Sequence, residues 1–255
     1  MRIIFAGSAI RSHVYLQALL DSKKKVVAVV IDRNDSKLSQ ISTSNNIPIL
    51  EGNVNSEISA NRLRTLEPDL MVLCNFNQIL DASIIDIPKI ACINLHGGKL
   101  PEYRGSSVIN WQIINGEKEG GVSIIHVDKG IDTGELIAEE KYEIGEHDQV
   151  FDIIEKTLEI FPKLLLKVIK SFELGTVSSI KLSKGKLYPH RNPDDGLIDY
   201  KNKTEEEVYN FIRAINYPLP GAFIIHKKRK IIFWKASRIE QNDKQIQKPG
   251  TFSKT

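Results

Sequence analysis

The sequence has little cysteine, little excess charge of either sign and no long apolar run. Its 255 residues include two cysteines, two methionines and two tryptophans. Both cysteines, Cys74 and Cys92, lie inside short apolar runs, "DLMVLCNF" and "KIACINL". That placement reads as buried thiols in strands and supports neither a disulfide framework nor a cysteine-built metal site. Thirty-five Lys and Arg against 32 Asp and Glu leave a net charge of +3. This excess is too small to argue for nucleic acid by itself. No run approaches membrane-spanning length, and "MRIIFAGSAI" turns polar too soon for a signal peptide. A cytoplasmic protein with no membrane partner is expected. The first turn, "FAGSAI", lacks the Gly-x-Gly-x-x-Gly fingerprint, which counts against a dinucleotide-dependent oxidoreductase. There is no internal repeat.

What is present is a rhythm. "RIIFAG" is a short β-rich run, and "SHVYLQALLDS" carries Val14, Leu16, Leu19 and Leu20 at helical spacing. "KVVAVVID" is a continuous Val/Ile run, as in a strand buried on both faces. A polar stretch leads to Asn46, then strand-like "IPIL", helical "EISANRLRTLE" and the run "DLMVLCNF". "KIACINLH" is followed by helical "SSVINWQIIN". "GGVSIIHVD" and "GELIAEEKYEI" read as strands around the loop "KGIDT", and "VFDIIEKTLEIFPKLLLKVIKSFELG" as a long amphipathic helix stopped by Gly175. The expected fold is α/β: a Rossmann-like, mostly parallel sheet with helices on both faces. The polar, Pro- and Gly-containing segment "SKGKLYPHRNPDDG" reads as a linker. Beyond it, Thr204 and Glu207 form a capping box before "EEEVYNFIRAI", and "AFIIHKKRKIIFW" reads as two strands and a basic turn. The expected division is a catalytic domain over 1–185 and a small C-terminal α+β domain over 186–255. The polar tail "EQNDKQIQKPGTFSKT" is expected to be loosely ordered.

The chemistry-bearing stretch is "INLHGGKLPEYRGSSVINW", residues 93–111. In open parallel sheets, ligands bind at the C-terminal ends of the strands, near the point where strand order reverses. Asn94 and His96 lie at such an end, and residues two apart on a strand share a face. The spacing therefore aims an amide and an imidazole into one crevice, and Gly97-Gly98 lets a ligand approach the backbone. Acyl transfer to an amine uses both groups. The imidazole can take the amine's proton, and an amide N–H can stabilise the oxyanion. A carboxylate is needed to orient the ring, and Asp132 in "KGIDTGEL" is the candidate. No Ser or Cys nucleophile lies in the motif, which favours direct transfer over a covalent acyl-enzyme. Each residue also has a plainer reading: a packed histidine, a turn asparagine, a loop-forming aspartate between Gly130 and Gly134.

The block "NLHGGKLPEYRGSSVINWQIINGEKEGGVSIIHVDKGIDTGELIAEE" resembles the folate-dependent formyltransferases. Their pattern is Asn-x-His, Leu-Pro-x-Tyr-Arg-Gly, Trp, Asn-Gly-Glu, Gly-Val-Thr and a Gly-x-Asp-x-Gly loop. Two departures are Gly98-Lys99-Leu100-Pro101 for Ser-Leu-Leu-Pro and Ser123 for the usual Thr. The resemblance implies formyl transfer from 10-formyltetrahydrofolate to an amine, without a metal, with Asn94, His96 and Asp132 as the catalytic set. "PDLMVLCNFNQIL" matches the stretch lining the pterin pocket. Phe76, Ile79 and Leu80 are candidates there, with core packing as their alternative. The backbone around Ile131–Thr133 is the candidate for reading the pterin edge.

"HRNPDDGLIDY" and "NFIRAINYPLPGAF" resemble the region joining the two domains of methionyl-tRNA formyltransferase and of the enzyme domain that formylates a nucleotide-linked aminoarabinose. Within the family, the short appendage points to a nucleotide-linked amino sugar as the acceptor, of the kind used in lipopolysaccharide O-antigen synthesis. Methionyl-tRNA is the runner-up, and an RNA-binding module using "HKKRK" the third reading. No nucleic-acid partner is expected under the first, and a homodimer is. Arg11, Arg191 and Arg213 are the candidate cations for a diphosphate; each also reads as an ion-pair partner.

Overall fold

The structure is a computed structural model, and it describes residues 1–8, 11–32 and 35–237. The polar tail lies outside the described residues. The chain begins β1 (Arg2–Gly7), α1 (Ser12–Asp21), β2 (Lys25–Ile31), α2 (Ser36–Ser44), β3 (Ile49–Glu51), α3 (Glu57–Thr65), β4 (Leu70–Cys74), α4 (Ala82–Ile85) and β5 (Ala91–His96). It continues through β6 (Tyr103–Gly105), α5 (Val108–Ile114), β7 (Glu119–His126), β8 (Leu136–Glu143) and α6 (Val150–Leu174). β9 (Lys186–Tyr188), α7 (Glu205–Ile215), β10 (Ala222–His226) and β11 (Arg229–Phe233) complete it.

Two compact units arise, and they do not follow chain order. One comprises Met1–Arg104, Gly121–Lys141 and Lys156–Lys186; the other takes Gly105–Gly120, Tyr142–Glu155 and the residues from Leu187 onward. The first unit's last segment ends at Lys186. Two earlier segments nevertheless belong with the C-terminal part, so sequence order alone does not delimit the units.

The main sheet runs β3-β2-β1-β4-β5-β7-β8. β1 pairs in parallel with β2 and β4, and β5 with β4, while β7 joins β5 antiparallel. The mostly parallel sheet expected from the alternating runs is thus present. Its central strands are dry: Ile3, Ile4, Phe5 and Ala6 are all 0% exposed, as continuous apolar strands covered on both faces require. Because the chain builds outward from β1 to β3 and then returns to place β4 beside β1, strand order reverses between β1 and β4. That is where a ligand crevice belongs in such a sheet.

Two segments differ from expectation. The polar stretch before Asn46 holds the helix α2. Asp35 caps it, accepting from the N–H groups of Lys37 and Leu38 at 3.0 and 3.1 Å. Only Leu38 and Ser42 of this helix are buried, too sparse an apolar stripe to read as periodic. The linker is also structured, with β9 pairing β6 and a 3-10 turn at Pro193–Gly196. In the C-terminal unit, the Thr204–Glu207 capping box forms as expected, with bonds of 2.9 and 3.2 Å. α7 packs on α5, and β10 and β11 form an antiparallel hairpin turned by Lys227 and Lys228, both at positive φ.

Cys74 and Cys92 are free and buried. Burial pushes each thiol up to about 12, opposed at Cys74 by a hydrogen bond from Ser12. Thiolate, the reactive form, is therefore scarce near neutrality. The native protein should react negligibly with a thiol reagent such as DTNB at pH 8, and both thiols should titrate once guanidinium unfolds it. Rapid labelling of the native protein would show that these strands open.

Candidate active site

Asn94 and His96 occupy the last three residues of β5 and so face one way. Asp132 comes back to them from the loop between β7 and β8. Its Oδ1 accepts from Asn94 Nδ2 at 3.2 Å, and its Oδ2 lies 3.4 Å from His96 Nδ1. The side chains of His96 and Asp132 are 5% and 10% exposed, so this pair is shielded from the screening that weakens surface ion pairs. On its other side, His96 Nε2 lies 2.5 Å from the carbonyl oxygen of Tyr103. Carboxylate and carbonyl only accept, so both contacts are hydrogen bonds when the ring donates from both nitrogens.

The glycines have physical reasons. A Cβ on Gly98 would sit 2.7 Å from the Tyr103 carbonyl oxygen and 2.9 Å from His96 Nε2. Gly98 thus makes room for the histidine itself, before any question of ligand approach. A Cβ on Gly134 would meet the His126 carbonyl oxygen at 1.8 Å, which no local adjustment absorbs. Between them Asp132 adopts φ +50°, a left-handed conformation that costs little for Asp but must be held by its surroundings.

Two groups hold it. Asp128 Oδ1 accepts from Gly130 N at 2.9 Å and from Thr133 Oγ1 at 2.6 Å. Arg104 donates from Nε and Nη2 to the carbonyl of Ile131, at 3.1 and 2.9 Å. Arg104 and Tyr103 are residues that sequence reasoning did not single out. Their only signal was membership of "EYRG", since nothing local announces a partner 27 residues away.

The other expected site residues are distributed as follows. Leu80 is 6% exposed and belongs to the core cluster with Phe76 packed against it, whereas Ile79 is 70% exposed. Leu80 therefore takes the core-packing alternative, and Ile79 is the residue of the three that faces outward. Ile131 has an exposed side chain and a carbonyl already taken by Arg104, leaving other backbone groups of the loop for a ligand. Thr133 borders an open cavity of about 530 Å³ with His126, Glu135 and Lys181. Burial pushes His126 below the usual histidine range, opposed by the Glu135 carboxylate.

Arg11 stands at the N-cap of α1 in the first unit. Arg191 and Arg213 belong to the second, and both are engaged there. Arg191 donates to the Asp195 carbonyl at 2.6 Å and lies 4.9 Å from the Trp111 ring centroid and 5.1 Å from that of Phe211. Arg213, expected as a phosphate contact, is instead 2% exposed. It donates to Asn210 Oδ1 at 2.9 Å and to the carbonyls of Gly145 and Asp148 at 3.2 and 2.8 Å. Its amphipathic helix turns it inward, where it satisfies loop carbonyls. Among the described residues, no cluster of His, Cys, Asp and Glu could hold a metal ion, and no helix is long and apolar enough to cross a membrane.

Fold and site together define a Rossmann-like α/β protein with an Asn-His-Asp cluster at the C-terminal edge of its sheet. Residues 1–169 match the model of the formyl transferase family, and residues 191–255 that of the formyl transferase C-terminal domain. The chain belongs to this family and is a formyltransferase. It is 30% identical over 263 residues to methionyl-tRNA formyltransferase of Alkaliphilus oremlandii, covering 98% of this chain and 84% of that one. The fold is also that of an N-formyltransferase from Helicobacter canadensis solved with folinic acid and dTDP-3-aminofucose (TM-score 0.71, 24% identity, 90% of this chain and 86% of that one). A sugar N-formyltransferase from a Shewanella species aligns with TM-score 0.76 at 18% identity, over 94% and 99% of the two chains.

Arg104 acts on the loop rather than on the cluster itself. Arg104→Ala should lower kcat for formyl transfer on the order of tenfold to a hundredfold, the cost of misplacing a catalytic group by about 1 Å. Substrate KM values and melting temperature should change little, and Arg104→Lys, with one donor direction, should recover part of the rate. A loss confined to KM would show that Arg104 binds substrate instead.

Proposed function

We propose that the protein transfers the formyl group of 10-formyltetrahydrofolate to the amine of a nucleotide-linked amino sugar. The observation that carries the reaction is Asp132 bonded at once to Asn94 and His96. The amine nitrogen attacks the formyl carbon, forming the new C–N bond and placing charge on the formyl oxygen. Asn94 has two N–H donors; one is held by Asp132 and the other serves that oxyanion. Asp132 fixes Nδ1 of His96 as a donor, so the basic lone pair belongs to Nε2. Donation to the Tyr103 carbonyl needs a proton on Nε2, so the ring first releases that proton to solvent; the freed lone pair then turns to the attacking amine and takes its proton. Collapse of the intermediate breaks the bond to N10, which gains a proton and leaves as tetrahydrofolate.

A folate donor is supported by similar proteins solved with 5-N-formyl-THF and with folinic acid. Ile79 and the loop at 131–133 are the exposed groups to meet it. The sugar acceptor is supported by sugar N-formyltransferases of the same fold. Arg191 on its rings and Arg213 on loop carbonyls are engaged internally, which leaves Arg11 of the three expected cations as the candidate for the diphosphate. Methionyl-tRNA is the second reading. The 30% identical relatives bear that name, and the hairpin turn presents the adjacent cations Lys227, Lys228, Arg229 and Lys230, all exposed.

A parallel assay separates these. With 10-formyltetrahydrofolate, a panel of amino-sugar nucleotides should release tetrahydrofolate and methionyl-tRNA should not. Efficient formylation of methionyl-tRNA alone would reverse the assignment.

For the mechanism, His96→Asn should keep the fold by circular dichroism and lose about 10²–10⁴ in single-turnover rate. Asp132→Asn should cost a comparable factor, and Asn94→Ala on the order of 2.7–4 kcal/mol of barrier. The triple variant should lose far less than the sum, because the groups act as one unit. His96→Asn turning over at nearly the parent rate would remove histidine from the mechanism.

A further inference from the structure

A second set of polar groups lies at the same edge of the sheet as His96. Gly7 pairs with Ile31 of β2 and Cys74 of β4, and Cys74 pairs with Leu95 of β5. Asp32, Ser8 and Asn75 directly follow the last residues of β2, β1 and β4, and His96 ends β5, so all four lie at the C-terminal edge of the sheet. The edge spans the strand-order reversal, with β2 and β5 three strand spacings, or about 14 Å, apart.

Along this edge the hydrogen bonds are directional. Ser8 donates to the Asn75 carbonyl and accepts from Asn77 Nδ2 at 2.8 Å. Asp32 Oδ2 accepts from the Asn77 N–H at 2.9 Å. Ser8 and one Asp32 oxygen are thus spent on holding the segment after β4. The other oxygen, Asp32 Oδ1, is buried and has no hydrogen-bond partner among the described residues. A buried acceptor left unpaired is costly, and native structures rarely leave one without a donor.

We infer that Asp32 Oδ1 is a binding point for a hydroxyl of the acceptor sugar nucleotide. A carboxylate oxygen takes O–H or N–H donors and repels phosphate. A sugar hydroxyl is the complementary group, and it comes either from the amino sugar or from the ribose of the nucleotide. This inference rests on the amino-sugar reading above and adds a recognition residue to it.

Asp32→Asn is the test. It keeps an oxygen for the Asn77 N–H and puts an amide N–H₂ where Oδ1 was. The acceptor KM should rise about tenfold or more, as expected for losing a hydrogen bond to a charged group. The folate KM and melting temperature should stay at parent values. An amino-sugar 1-phosphate lacking the nucleoside locates the hydroxyl: the same penalty on it assigns the amino sugar, and no penalty assigns the ribose. An unchanged acceptor KM in Asp32→Asn, or a rise in the folate KM instead, overturns the inference while leaving the amino-sugar reading intact. A parent enzyme that formylates no amino-sugar nucleotide overturns both.

Discussion

One carboxylate joins the two ends of the candidate site. Asp132 bonds the amide of Asn94 with one oxygen and faces the His96 ring with the other, and it does so from a loop distant in sequence. Much of the local architecture is the cost of that reach. β7 must run antiparallel to β5 so that the chain returns past it. The loop must turn through a left-handed residue, which a packed environment has to impose. Gly134 must pass under a backbone oxygen with no space for a side chain. Asp128 closes the loop from within, and Arg104 pins it from outside. Buried polar groups of this kind are worth most when every member is satisfied, and here each ring nitrogen and each carboxylate oxygen has a partner.

The C-terminal unit uses its cations differently. Arg213 is nearly inaccessible, and burial pulls its pKa down against the pull of Tyr209 and nearby acids. Arg191 is likewise desolvated between two rings, with Asp195 opposing the shift. Arginine stays charged under such treatment because its pKa starts so high, so it can serve as a structural cross-link for loop carbonyls where lysine would be lost. The visible abundance of basic residues therefore overstates the positive surface available to an anionic ligand.

How much was legible follows from range. Continuous Val and Ile runs mark β1, β2 and β4 because a strand covered on both faces has no polar side. Thr204 and Glu207 are three apart and bond within one helical turn, so that cap can be read without a fold. By contrast α2 buries only Leu38 and Ser42, and Leu80 looks the same in a sequence whether it lines a pocket or fills a core. Asp32 carries no local signal, because its environment is made by Asn77, 45 residues on.

The sequence by itself determined the mostly parallel sheet, the family, and the shared face of Asn94 and His96, since a strand's side chains repeat every two residues whatever surrounds it. Tertiary structure alone decided the rest: that Asp132 closes on that pair, that Gly98 is demanded by the histidine ring, that Arg104 pins the loop and Arg213 turns inward. Each of these depends on which residue lies within a few ångströms across a long sequence separation. Local periodicity carries no information about such contacts, and packing settles them only when the whole chain has folded.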